Sequence, residues 1–249
     1  VHGQNGNPKV HGIHIHMGYE LGDGPASSRI YRAQFPGTRI MYTIHNIEYQ
    51  GWANAGFFDD VLGLPWEYRS TLDMSNSVNV MKGAIETADL VTTVSETYAR
   101  ELMYPYYAHG LDSVLAGNAW KLTGITNGID VNTFNPETDP YIAQQYNAKN
   151  FRKEKAKNKL ALQEELGLAR DDKKFMIGIV SRLTDQKGLD LIDYVMDELC
   201  QDAIQLVVLG TGEEKYENMF RHFDWKYNDK VSANIFYSED LSHKIYAAC

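Results

Sequence analysis

The sequence predicts an α/β protein built on parallel, doubly wound sheets, and three observations lead to this fold class. Residues 175–180, FMIGIV, form a continuous apolar run, which is typical of a strand that is covered on both faces. From this run to the end of the chain, strand and helix patterns alternate, and such alternation specifies parallel strands with right-handed crossovers. A polar stretch bracketed by two prolines, residues 135–140, indicates a linker before this region.

These features divide the chain into two domains, each of them incomplete. We assign residues 1–138 to a partial first domain, 139–150 to the linker and 151–249 to a partial second domain. The first residue is not methionine, and the final residues, KIYAAC, have a helical pattern that the chain end interrupts. We therefore interpret the chain as an internal piece of a longer protein.

The first domain has fewer regular patterns than the second. Residues 66–87 show a helical pattern. Ser95 is the expected N-cap of a helix over residues 96–104, because its hydroxyl can accept hydrogen bonds from first-turn amides, and Pro105 is expected to end that helix. The predicted strands of this domain are residues 10–16, 39–44 and 89–94.

The second domain shows a regular alternation of elements. It begins with a polar helix over residues 148–166, which closes at Gly167. A later helix places apolar side chains at i, i+3, i+4 and i+7, beginning at Tyr216, which indicates a face turned to the core. The predicted strands are 175–180, 204–209 and 231–236, and the other predicted helices are 189–199, 213–226 and a helix from 241.

Composition and charge argue against several classes of partner. The chain has 249 residues and a formal net charge of −9, and it lacks a Lys/Arg stripe of the kind that binds a nucleic-acid backbone. Its two cysteines, Cys200 and Cys249, indicate neither a disulfide framework nor a zinc site, so a reducing compartment is expected. No apolar run is long enough to cross a bilayer. We therefore expect neither a nucleic-acid nor a membrane partner.

Two cations lie in the loop that follows the strand at 175–180. Arg182 and Lys187 are five residues apart, and loops at the carboxyl edge of an open α/β sheet are where such sheets bind ligands. Arg182 can offer a planar fork to phosphate oxygens, and Lys187 can offer a compact charge to a leaving group. In this position they predict a diphosphate site, whereas an isolated R-x4-K spacing is more often a pair of solvated loop cations.

Other polar residues and glycines are predicted at the same kind of edge. His45 and Asn46 directly follow the second predicted strand, although either could simply belong to a hydrogen-bonded loop. Asn127 lies in an Asn-Gly pair that indicates a sharp turn at a sheet edge. Gly210 and Thr211 begin a G-x-G turn, in which small residues let a helix terminus approach an anion, but G-x-G alone is a weak signal.

Four runs of residues point to a known family. They are YTIHNIEYQG (42–51), TVSETYARE (93–101), NGID with NPETD behind it (127–139), and SRLTDQKG (181–188). In that order they resemble the bacterial glycogen synthase and plant starch synthase family, and the resemblance covers the chain from about residue 39 to its end. Many glycosyltransferases with two Rossmann domains share T-V-S and S-R-x4-K-G, whereas T-I-H-N-x-x-Y-Q-G is much more specific to these glucan synthases.

The resemblance implies two Rossmann-like domains that face each other across a cleft, the first on the glucan acceptor side and the second on the nucleotide-sugar donor side. It also implies transfer of glucose from ADP-glucose to the non-reducing end of an α-1,4-glucan, with retention of configuration. The expected partners are therefore ADP-glucose and an α-1,4-glucan, glycogen or starch. The expected location is the bacterial cytoplasm, or a plastid for a plant protein.

The resemblance also implies roles for individual residues. Arg182 and Lys187 match residues that hold the donor diphosphate and stabilise it as it leaves, and His45 matches a histidine that lies against the donor glucose. No cofactor and no metal are expected, because the chain has no D-x-D motif and the two cations would meet the same electrostatic demand. The implied catalytic residues are His45, Arg182 and Lys187, and the implied substrate-binding residues are Asn46, Asn127, Gly128, Gly210 and Thr211.

The sequence departs from the family pattern in three places. The family's Lys-Thr-Gly-Gly loop is absent, its Glu-x-x-Gly-Leu loop does not occur before the chain ends, and Met17 stands where the family has an aspartate. We therefore expect no glucosyl transfer from these 249 residues alone. Two alternatives stay open, a catalytically silent module that binds glucan or nucleotide and another retaining nucleotide-sugar glycosyltransferase.

Overall fold

The computed structural model describes residues 12–16 and 39–249, so the departure at Met17 lies outside the described residues. The chain divides into two compact units, Val1–Gly128 and Ile129–Cys249. Both units are mixed α/β with a parallel sheet, as the sequence predicts. Among the described residues, no helix is both long and apolar enough to cross a membrane.

The first unit is organised around a parallel sheet with strand order β1-β2-β6-β7. Its described strands are β1 (Gly12–His16), β2 (Arg39–Ile44), β3 (Trp52–Asn54), β4 (Asp73–Met74), β5 (Ser77–Asn79), β6 (Leu90–Thr93) and β7 (Leu122–Gly124). Its described α-helices are α1 (Arg69–Leu72), α2 (Val80–Thr87), α3 (Glu96–Glu101), α4 (Pro105–Ala108) and α5 (Asp112–Gly117). The predicted strand at 39–44 is confirmed, and β7 is a strand that the sequence does not predict.

Helix α2 and the chain segment that includes α3 pack against one face of the sheet of the first unit. Tyr42 of β2 and Val91 of β6 lie in one apolar cluster with Ile85 of α2 and Leu102, which directly follows α3. The predicted N-cap is confirmed, because the Ser95 hydroxyl accepts a hydrogen bond from the amide of the third helical residue at 3.2 Å. The predicted end of this helix, directly before Pro105, is wrong. Helix α3 has already ended before the proline at 105, which instead begins α4.

The predicted helix at 66–87 is wrong in its middle: residues 66–68 form a 3₁₀ turn and α1 covers Arg69–Leu72, but residues 73–79 are not helical. A small antiparallel sheet with order β3-β5-β4 occupies part of it, and a two-residue turn joins β4 to β5. Ser75 and Asn76 both have positive φ, 51° and 61°, as tight hairpin turns of this kind require. Helix α2 then begins after Asn79, whose side chain accepts a hydrogen bond from the Lys82 amide at 2.8 Å. Local turn and capping chemistry therefore overrides the apolar periodicity.

The second unit is organised around a parallel sheet with strand order β10-β9-β8. Its strands are β8 (Phe175–Val180), β9 (Ile204–Leu209) and β10 (Val231–Asn234). Its α-helices are α6 (Phe151–Glu165), α7 (Leu189–Leu199), α8 (Glu214–Lys226) and α9 (Glu239–Ala248). Strands β8 and β9 and helix α7 have the predicted bounds, and β10 ends two residues before the predicted end at 236.

Central strand β9 shows that helices cover both faces of this sheet. All six of its residues are buried. Because side chains alternate between faces along a strand, Leu206 and Val208 pack with Phe220 of α8 on one side, while Val207 packs with Ile245 of α9 on the other. This is the doubly wound arrangement that the alternation of elements predicts.

Residues 129–150 belong to the second unit, so the predicted boundary at 138 and the predicted linker at 139–150 do not coincide with the observed division. Asp139 Oδ2 lies 2.6 Å from Nδ1 of His243 in α9, and both side chains are buried. The Phe134 ring stacks on the His243 ring with centroids 4.6 Å apart. Asn158 of α6 accepts a hydrogen bond from the Gln144 amide and donates one to the Gln144 carbonyl. Buried partners on two helices therefore hold a segment whose composition is typical of a linker.

We expect Asp139→Ala to lower the free energy of unfolding of the second unit by about 2–3 kcal/mol, because it leaves His243 Nδ1 buried without a partner. The substitution also removes the carboxylate oxygen that accepts from the Tyr141 amide at 2.9 Å. Hydrogen exchange of the α9 amides in increasing urea measures the effect. The control is Glu164→Ala, which breaks an exposed pair with Arg170 and should change this free energy by less than about 0.5 kcal/mol. Unchanged protection of α9 in Asp139→Ala would contradict the expectation.

Candidate functional site

In the second unit, the chain segments after β8 and β9 run side by side beyond the ends of both strands. The Ser181 amide donates to the carbonyl of the last residue of β9 at 3.1 Å, and the Leu183 amide donates to the Thr211 carbonyl at 2.9 Å. A Cβ placed on Gly210 would overlap the Ser181 carbonyl oxygen, and one on Gly212 would overlap that of Leu183. The two glycines of the G-x-G turn are therefore needed for this close backbone approach.

A cavity of about 330 Å³ opens at this carboxyl edge of the sheet. The structure brings three of the predicted site residues together in its wall, namely Arg182, Gly210 and Thr211. Its position agrees with the rule that open α/β sheets bind ligands beyond the carboxyl ends of their strands. The other lining residues are Phe134, Val180, Ser181, Leu209, Phe236, Tyr237, Ser238, Glu239 and Ser242.

Sequence reasoning misses the part of the cavity wall that follows β10. Phe236 and Tyr237 are exposed aromatic residues in the loop between β10 and α9. Ser238 caps α9 by accepting a hydrogen bond from the Leu241 amide at 3.1 Å, so the amino end of this helix, with its positive potential, borders the cavity. The sequence does contain a signal for these residues. They lie at or directly after the end of the predicted strand at 231–236, and the residues after a parallel strand lie at the same carboxyl edge of the sheet as those after its neighbours. Phe134 enters from a segment distant in sequence, for which we find no local signal.

The two predicted cations lie on the same loop but differ in their surroundings. Arg182 is exposed and lines the cavity. Lys187 is exposed at the end of a single 3₁₀ turn, Asp185–Lys187, and is not among the lining residues. Within the described residues of the second unit, neither side chain makes a hydrogen bond or an ion pair. Both charges are therefore available to an anionic ligand.

The 3₁₀ turn that ends in Lys187 is held through Asp185. Oδ1 of Asp185 accepts hydrogen bonds from Lys215 Nζ and from the Tyr216 hydroxyl, each at 2.5 Å. The Asp185 amide donates to Glu213 Oε1 at 3.0 Å. The hydrogen bond from Lys215, followed by that from Tyr216, lowers the pKa of Asp185 below its ordinary value. The same contact raises the pKa of Lys215 and of Tyr216.

The first unit presents a second group of predicted residues at a sheet edge. His45 is exposed and directly follows β2, and Asn46 accepts a hydrogen bond from the Glu48 amide at 3.0 Å. The next residue of this loop is held by Tyr98 of α3, whose hydroxyl accepts from the Ile47 amide at 3.2 Å. Burial raises the pKa of the Tyr98 hydroxyl, which keeps it neutral at physiological pH. The loop that carries His45 is therefore attached to the helix beside it.

Gln50 fixes the far end of the same loop. Its side chain accepts from Asn79 Nδ2 at 2.7 Å and donates to the His109 carbonyl at 3.0 Å. Asn127 and Gly128 are exposed and follow β7 by three and four residues. Since β2, β6 and β7 are parallel, Asn127 lies at the same carboxyl edge as the loop after β2, with β6 between them.

Comparison with known proteins identifies the family to which the chain is similar. Residues 26–117 match the family model described as the starch synthase catalytic domain. The chain is 58% identical over 217 residues to the glycogen synthase of Lachnospira eligens and 54% identical over 217 residues to that of Lachnoclostridium phytofermentans. Each alignment covers 86% of this chain and 45% of the relative. The chain thus spans about half the length of the curated relatives it matches.

Solved structures agree with the sequence comparison. The catalytic domain of starch synthase IV from Arabidopsis thaliana, bound to ADP and acarbose, superposes with a TM-score of 0.79 at 35% identity and covers 88% of this chain and 46% of that one. Anabaena HepE in complex with UDP gives a TM-score of 0.50 at 18% identity over 91% of this chain and 48% of that one, a likeness of fold alone. From the family model, the curated relatives and the starch synthase structure together, we conclude that this chain belongs to the family of bacterial glycogen synthases and plant starch synthases.

Proposed function

We propose that the protein carrying this chain is a glycogen or starch synthase, which transfers glucose from ADP-glucose to the non-reducing end of an α-1,4-glucan with retention of configuration. The observation that carries the proposal is the cavity at the carboxyl edge of the second unit's sheet, with Arg182 in its wall and Lys187 on the same loop. The names of the relatives support it, as do the ADP and acarbose bound to the Arabidopsis starch synthase. The proposal includes the expected location, the bacterial cytoplasm or a plastid.

The cavity supports the donor half of this function. Arg182 can hold two phosphate oxygens at once, and the amino end of α9 borders the same cavity, where the negative charge of Glu239 opposes the positive end of the helix dipole. The aromatic rings of Phe134, Phe236 and Tyr237 line the remaining wall and offer flat surfaces for a nucleobase. Gly210 and Thr211 carry little side-chain bulk there, which leaves room for a ligand close to the backbone. We therefore assign the nucleoside diphosphate of the donor to this cavity.

The chemistry of glucosyl transfer explains why cations are needed. Cleavage of the bond between glucose and diphosphate leaves negative charge on the phosphate, and fixed cations that face this charge stabilise the transition state. We assign this role to Lys187 and Arg182, and the proposal involves no metal or cofactor. In the first unit we assign His45 and Asn46 to binding of the donor glucose. We assign Asn127 and Gly128 to binding of the same sugar.

We expect the complete protein to incorporate labelled glucose from ADP-glucose into glycogen, and we expect Lys187→Ala to lower kcat roughly a hundredfold with a smaller change in KM. The reason is that a charge paired with a developing leaving group acts in the transition state and contributes about 3 kcal/mol there. Steady-state kinetics with labelled ADP-glucose measures both constants.

The matched control for this experiment is Lys173→Ala, an exposed lysine just before β8 at the opposite end of the strand, which should leave kcat and KM unchanged. Incorporation from another nucleotide sugar but not from ADP-glucose would identify a different retaining transferase. Glucan or nucleotide binding without incorporation would identify a silent binding module. Equal turnover by the wild type and Lys187→Ala would contradict the role of Lys187.

We expect Arg182→Ala to raise the Kd for ADP about tenfold, because it removes charge-assisted hydrogen bonds to the diphosphate from the cavity wall. The loss should diminish at high salt, which screens the interaction of exposed charges. Calorimetric titration with ADP measures the effect. Arg170→Ala, which removes an arginine from an exposed pair with Glu164, is the control and should not change Kd. An unchanged Kd in Arg182→Ala would show that ADP is held elsewhere.

A further inference from the structure

We propose that Lys215 and Tyr216 are positioning residues for glucosyl transfer, which act through Asp185 to hold Lys187 against the leaving diphosphate. The inference rests on the proposed function, because it concerns the loop to which that function assigns the leaving-group charge. It adds two residues of helix α8 that lie outside the S-R-x4-K-G run and that sequence analysis assigns only to the core or to no role.

The short turn that carries Lys187 has little structure of its own. It is a single 3₁₀ turn, in which the Lys187 amide donates to the Thr184 carbonyl at 3.0 Å and the Gly188 amide donates to the Asp185 carbonyl at 3.1 Å. Such an exposed turn opens easily unless neighbouring elements hold it. Gly188, with a φ of 64°, ends the turn and leads directly into α7. The turn is therefore held at its end by α7, whose first residue, Leu189, is buried, and at its start by the contacts of Asp185.

Those contacts come from the beginning of α8. Oδ1 of Asp185, the first residue of the turn, accepts from both Lys215 Nζ and the Tyr216 hydroxyl at 2.5 Å. Glu213, the residue before α8, accepts from the Asp185 amide at 3.0 Å and also pairs with Lys215 at 3.2 Å. Just before the turn, Leu183 is fully buried and its carbonyl accepts from the Glu213 amide at 2.8 Å. The loop is thus attached to α8 immediately before Lys187, while the Lys187 side chain itself is unattached within the described part of this unit.

Tyr216 carries a hydroxyl that its place in the core does not require. Its ring belongs to the apolar cluster that includes Phe220 and Phe223, and a phenylalanine would fill the same space. The hydroxyl instead reaches Asp185, and the Lys215 ammonium meets the same oxygen. The lowered pKa of Asp185 keeps this carboxylate ionised at neutral pH, and the attachment is lost only as pH falls through that lowered value.

The chain contains a second arrangement of the same chemistry, which provides a matched control. Oδ1 of Asp197 accepts from Lys226 Nζ at 2.7 Å and from the Tyr227 hydroxyl at 2.8 Å. These residues lie near the carboxyl ends of α7 and α8, at the opposite edge of the sheet from the Lys187 loop. Removing the same groups there should change local stability to a similar extent without moving Lys187.

The experiment is a double-mutant cycle on the complete protein with ADP-glucose and glycogen. The pair Lys215→Met with Tyr216→Phe should lower kcat roughly tenfold, with KM for ADP-glucose within about twofold, because a small displacement of a catalytic charge acts on the transition state. In the Lys187→Ala background the same pair should cause no further loss, since its effect passes through Lys187. The pair Lys226→Met with Tyr227→Phe should leave kcat unchanged in both backgrounds.

An equal loss of kcat in both backgrounds, or no loss in either, would overturn the inference. If the unmodified protein transfers no glucose, the proposed function fails, and hydrogen exchange then tests the positioning by itself. Faster exchange of the amides at 185–188 in the Lys215→Met, Tyr216→Phe protein, but not in the Lys226→Met, Tyr227→Phe protein, would support the attachment. Unchanged exchange at these amides would overturn it.

Discussion

The close approach of two backbone segments beyond the ends of β8 and β9 is the constraint on which the second unit's site depends. Gly210 and Gly212 allow it, because a side chain at either position would overlap a carbonyl of the neighbouring segment. The approach brings Arg182 to the wall of the cavity and aligns Leu183 with the residues that precede α8. Two residues without side chains thus determine where a cation is placed, which is why a weak G-x-G pattern has a structural meaning here.

In each unit, a tyrosine hydroxyl of a neighbouring helix makes a hydrogen bond to the loop that carries the candidate site residue. In the first unit the loop after β2 is attached by Tyr98, the third residue of the helix that follows the neighbouring strand β6. In the second unit the loop after β8 is attached by Tyr216, the third residue of the helix that follows the neighbouring strand β9. A tyrosine suits both positions because its ring can be buried among apolar side chains while its hydroxyl reaches a polar group at the margin. Lys187 and His45 therefore each lie on a loop that a tyrosine of the adjacent helix attaches, through the Asp185 carboxylate in one unit and the Ile47 amide in the other.

The part of the fold that the sequence predicts correctly is the part with a strong local pattern. Strand β8 is a continuous apolar run, β9 is apolar except for Gln205, and both have the predicted bounds, as does α7. Where turn chemistry decides, the prediction fails: the hairpin at 73–79 interrupts a predicted helix because Ser75 and Asn76 adopt positive φ. Residues 139–150 are predicted as a linker, yet Asp139 is buried against a histidine about a hundred residues later in the chain, which no local pattern reveals. The same limit explains why Arg182 and Gly210 are predictable site residues and Phe134 is not.

The two sides of the cavity in the second unit differ in how freely they can change during evolution. One side is formed by backbone at Gly210 and by the segment paired with it, where any added side chain disturbs the sheet edge. The other side is formed largely by side chains on irregular segments, Phe134 and Phe236 to Ser238, which belong to no strand and can be replaced without breaking strand pairing. Divergence among proteins that share this unit would therefore alter the shape and polarity of the aromatic side first. The backbone side would stay the same while the preference for a ligand changed.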